Sequence, residues 1–114
     1  MKLVHESPHK TFKVHRLSNS VYLCTENDDI KCCYVGLIAF ENRESLIGLM
    51  ANNNIGFSGI EVRKPVKRVS DRFKWEAKIN GISRESVFKL AELNNKYNKE
   101  RFPETYSQMS HLWE

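Results

Sequence analysis

Residues 32–40, CCYVGLIAF, are apolar at every position except the small Gly36. A strand with one wet face alternates polar and apolar side chains, so an unbroken apolar run fits a strand covered on both faces at the centre of a sheet. Everything else in the chain must be arranged around such a strand. With 114 residues and 40% hydrophobic content, there is enough apolar surface for one compact domain and not enough chain for two.

The flanking segments supply partners for that strand. In TFKVHRL (11–17), Phe12 and Val14 alternate with Lys13 and His15, and in VYLCT (21–25), Val21 and Leu23 alternate with Tyr22 and Cys24. SNS (18–20) and ENDD (26–29) are turn-forming stretches between them. After Phe40 the period changes. Asn42 is placed to cap a helix, Glu44 suits its first turn, and Leu46, Leu49 and Met50 fall on one face before the NNN stretch and Gly56 stop it. Residues 56–64 return to an extended pattern through Ile60 and Val62, until Pro65 removes a backbone donor.

RFKWEAKI (72–79) has the clearest alternation in the chain, setting Phe73, Trp75, Ala77 and Ile79 against Arg72, Lys74, Glu76 and Lys78. Asn80-Gly81 is a strong turn pair, and Ser83 is a plausible N-cap. Val87, Leu90, Ala91 and Tyr97 then recur on one helical face, with Pro103 marking its end. The outline is an α+β domain with a mainly antiparallel sheet in the order β-β-β-α-β-β-α, two helices on one face and a short tail. Residues 1–114 form a single domain in this reading, with 1–10 as a flexible N-terminal arm and 103–114 as the tail.

The N-terminal MKLVHESPHK has no apolar core of a signal peptide, and no stretch approaches the roughly 18 apolar residues of a spanning helix. Cys24, Cys32 and Cys33 are odd in number, and the last two are neighbours whose side chains point to opposite faces of a strand, as suits reduced thiols. These features point to a cytoplasmic protein without membrane contact.

No motif names a reaction. His5 and His9 are separated by a proline that opposes a helix, and the cysteines form no C-x2-C pair, so no metal or other cofactor is implied. GFSG (56–59) is not the G-x-S-x-G elbow, and its glycines are accounted for by a helix stop and the start of a strand. Asp28 and Asp29 belong to a turn. A general acid/base pair built from residues such as His15 or His111 leaves no spacing to read. The expectation leans to a protein that is not an enzyme.

Charge is the feature left to carry function. The net charge is +4, yet residues 1–60 hold six Lys and Arg against six Asp and Glu, while residues 61–114 hold twelve against eight. Residues 63–78 alone hold Arg63, Lys64, Lys67, Arg68, Arg72, Lys74 and Lys78 against Asp71 and Glu76, a surplus of five (seven minus two) that exceeds the whole chain's. On a hairpin these cations would share the exposed face and the loop, leaving the aromatics to the core, and such a ribbon is an electrostatic footprint for phosphate. Lys on a wet face also guards sheet edges, but five in excess is more than edge protection needs. The expected partner is nucleic acid, DNA or RNA, contacted along its backbone by these seven residues.

The competing expectation is a protein-binding modulator or inhibitor, a small phage-type or accessory factor acting through its tail or an open sheet edge. In TYSQMSHLWE (105–114), Tyr106, Met109 and Trp113 fall near helical spacing and would anchor a partner groove if exposed. If Leu112 and Trp113 fold back instead, they close the core. Oligomeric state is not readable from the sequence.

Overall fold

The computed structural model describes residues 1–37, 40, 42–63 and 76–114, with only the backbone of Arg63. Six antiparallel strands, β1 (Lys2–Glu6), β2 (Phe12–Arg16), β3 (Val21–Glu26), β4 (Asp29–Gly36), β5 (Gly59–Arg63) and β6 (Glu76–Asn80), form one sheet in the order β1-β2-β3-β4-β6-β5. Helix α1 (Arg43–Asn52) joins β4 to β5, and α2 (Arg84–Arg101) follows β6. Helix α3 (Pro103–Met109) and a 3-10 turn (Ser110–Leu112) complete the chain.

Residues 32–36 of the apolar run lie at the sheet's centre in β4, which ends at Gly36 rather than at residue 40; Leu37 and Phe40 are buried beyond the strand, and residues 38 and 39 lie outside the described residues. Cys33 and Val35 face the helices and are fully buried, joining Val21, Leu23, Ala77 and Ile79 from the neighbouring strands. Leu46 and Met50 of α1 and Val87, Leu90 and Ala91 of α2 close over them in one cluster. Burial of each large aliphatic side chain contributes about 1.5–3 kcal/mol. On the other side of β4, Cys32 is buried and Tyr34 half-buried.

Local chemistry sets the boundaries. The β3–β4 connection is a two-residue turn in which Asn27 (φ 51°) and Asp28 (φ 67°) both adopt the left-handed conformation that these residues tolerate best after glycine, matching the twist of the paired strands. Asn42 Oδ1 accepts from the Ser45 N–H at 2.8 Å to start α1, and Ser83 Oγ accepts from the Ser86 N–H at 3.2 Å to start α2. At the far end of α1, Lys89 Nζ donates to the Asn53 carbonyl at 2.6 Å, which ties α2 to the negative end of its neighbour's dipole.

Two expectations need correction. Residues 2–6 are not an arm but edge strand β1, whose alternation is broken by a bulge. Leu3 and His5 pair with the adjacent residues His15 and Val14, leaving Val4 as the extra residue. The tail, where Tyr106, Met109 and Trp113 fall near helical spacing, begins with a helix, because Pro103 both ends α2 and opens α3, a position where its missing N–H costs nothing. Among the described residues the order is accordingly β-β-β-β-α-β-β-α-α, with three helices in place of two.

Candidate nucleic-acid interface

The expected interface begins on two strands that pair. β5 and β6 are antiparallel neighbours with Arg63 opposite Glu76, Val62 opposite Ala77, Glu61 opposite Lys78 and Ile60 opposite Ile79. Alternation then sorts the side chains. Ala77 and Ile79 are fully buried on the helix side, so Lys78 and Glu61 belong to the opposite side. Of the seven cations expected to touch phosphate, Lys78 is described in full and is half-buried. Arg63 is placed by its backbone at the end of β5. Lys64, Lys67, Arg68, Arg72 and Lys74 lie outside the described residues, as do the aromatics Phe73 and Trp75.

Register places Lys78 in a row that the sequence alone did not reveal. Lys78 faces Tyr34, Tyr34 faces Tyr22, and Tyr22 faces Arg16, so four strands contribute one residue each to a line across the side of the sheet away from the helices. Glu61 continues it on β5 and Lys2 on β1. Adjacent strands are about 4.8 Å apart, so Lys78 and Arg16 are separated by about 14 Å. Both tyrosines are half-buried. Finding this row required the pairing register, and a single-residue slip of any strand would turn its member to the other face.

Arg16 at the end of the row is held in place. Its Nε donates to the Ser18 carbonyl at 3.3 Å and its Nη2 to the Asn19 carbonyl at 3.0 Å. The guanidinium carbon stands 5.6 Å from the centroid of the Tyr22 ring and 5.5 Å from that of Trp113, distances at which a cation is attracted to a π face. Trp113 is 2% exposed and packs on Tyr106 with ring centroids 5.7 Å apart. The tail residues expected as a partner anchor are thus gathered against the domain. Trp113 is buried, and Tyr106 and Met109 are half-buried.

The next row of the same side holds Cys24 opposite Cys32, flanked by Val14 and Asn80. Burial, reinforced by the neighbouring Cys32 thiol, pushes Cys24 up to about 12, and burial pushes Cys33 up as well. Such thiols pack as small apolar groups and are poor nucleophiles at neutral pH. Among the described residues, no three of His, Cys, Asp and Glu converge to hold a metal ion. No described helix is long and apolar enough to cross a membrane.

No family model, no curated protein and no solved structure matches this chain.

Proposed function

We propose that this protein binds nucleic acid without catalysing a reaction, contacting the phosphate backbone through the basic segment 63–78. The observation that carries this reading is the surplus of five positive charges within residues 63–78, on a segment whose two ends are the paired strands β5 and β6. Arg63, Lys64, Lys67, Arg68, Arg72, Lys74 and Lys78 act as phosphate contacts. Contacts of this kind set affinity and register and carry no sequence information, so binding is expected to discriminate little between sequences.

Fluorescence anisotropy of labelled oligonucleotides across a salt series tests the reading. On duplex DNA the logarithm of the binding constant should fall by about 0.9 per neutralised phosphate for each tenfold rise in salt. Reversing the charges of Arg63, Lys64, Lys67 and Arg68 together should weaken binding and flatten that slope. Absence of binding at low salt, or indifference to the reversal, removes the reading. The alternative is a modulator acting on a partner protein through its tail or an open sheet edge, and its tail anchor, Tyr106, Met109 and Trp113, has less support because Trp113 is already buried in its own domain.

A further inference from the structure

We infer that Trp113 is an internal competitor for an unpaired nucleobase at Arg16, so that the C-terminal segment restrains the binding of single-stranded nucleic acid. The inference rests on the proposed nucleic-acid reading and extends it, naming the form of ligand and a restraint on its binding. The Lys78–Tyr34–Tyr22–Arg16 row leads from the basic segment across the sheet to the Arg16 guanidinium. Two carbonyls occupy edge donors of that guanidinium, which fixes its plane, and a fixed planar cation recognises aromatic rings by stacking. Bases of a single strand bind protein by the same contact, on arginine planes and tyrosine rings, whereas bases in a duplex are stacked on one another. The indole of Trp113 stands where such a base would.

The tail docks through one fully buried side chain. Neither α3 nor the 3-10 turn buries a residue, and Trp113 is the one buried side chain from 103 to 114. Trp113 Nε1 finds no acceptor among the described residues. A strand following the row to Arg16 has this one ring to displace.

The chain has two tryptophans, so Trp75→Phe leaves Trp113 as the sole indole reporter. This variant is titrated at low salt with oligo-dT, oligo-U and a DNA duplex. Single strands should shift Trp113 emission to the red and increase its quenching by acrylamide, and the duplex should do neither. Trp113→Leu keeps apolar bulk without a π face and should bind single strands roughly two- to thirtyfold more tightly, the range a cation–π contact contributes, while Trp113→Phe stays close to the parent. If the chain binds single strands yet Trp113 emission is unchanged, or folded Trp113→Leu binds them no more tightly, the inference is overturned and the basic-segment reading stands. If parent and Trp113→Leu bind no oligonucleotide, both fall. Should circular dichroism show Trp113→Leu unfolded, quenching in the Trp75→Phe protein decides alone.

Discussion

Ser18 donates its hydroxyl hydrogen to Asn94 Oδ1, tying the turn between β2 and β3 to α2 across 76 positions of sequence. Both residues are completely buried, and Asn98 Nδ2 donates to the same Oδ1 at 3.1 Å. Two asparagines thus continue the stripe of α2 that begins with Val87, Leu90 and Ala91. A buried polar group that loses its partner costs about 1–3 kcal/mol, so Asn94→Ala should lower unfolding free energy in urea by that amount. Ser18→Ala leaves Oδ1 its bond from Asn98 and should cost less, about 1 kcal/mol. A double mutant no worse than Asn94→Ala would show that the two act as one unit.

Gly81 has φ +65°, and a Cβ there would collide with Ser58 Oγ, whose own backbone N–H is bonded to the Asn80 carbonyl at 2.9 Å. Two costs combine, the left-handed backbone and the clash. Gly81→Ala should therefore destabilise by more than the roughly 1 kcal/mol of the backbone conformation alone. Adding Ser58→Gly should recover the part due to the clash and leave the backbone part. Equal melting temperatures for the single and double variants would contradict this division.

How much of this could be read from sequence follows from where each signal is recorded. The alternation around Val21 and Leu23, the caps Asn42 and Ser83 and the apolar run of β4 are local patterns, and each element formed where they lie. β1 escaped because an exposed edge strand with a bulge shows neither burial nor strict alternation, and α3 because it is short and buries nothing. Asn94 and Asn98 lie at helical spacing from Leu90 and Ala91, but polar residues on that face signal burial only once Ser18 is known to meet them. The Lys78–Tyr34–Tyr22–Arg16 row depends on register between strands far apart in sequence, and the burial of Trp113 on where the tail returns.

All three thiols are free and buried, and Cys24 is raised to about 12 by burial and the adjacent Cys32. At pH 8 such a group is far less ionised than an ordinary exposed cysteine, of which roughly a quarter is thiolate. Native protein should accordingly resist iodoacetamide at pH 8 over a period in which urea-unfolded protein takes up three alkyl groups, counted by intact mass. Rapid labelling of any one thiol in the native state would show that β3 and β4 open locally.

His15 supplies a pH dependence whose sign can be worked out. It lies on β2 facing Leu23, and desolvation by burial lowers its pKa below 6.5, helped by the positive charges of Lys13, Arg84 and the N-terminal amine. The unfolded chain therefore binds a proton at His15 more readily than the folded one. The contribution of His15 to stability is complete above its unfolded value of about 6.5 and falls as the pH drops through that value toward the depressed folded one. Acidification from about pH 7.5 to about pH 5 should lower the melting temperature, and His15→Gln should remove part of that slope while leaving the remainder to other groups. A His15→Gln protein with the parent's full slope between those two pH values would show that His15 titrates alike in the folded and unfolded chains.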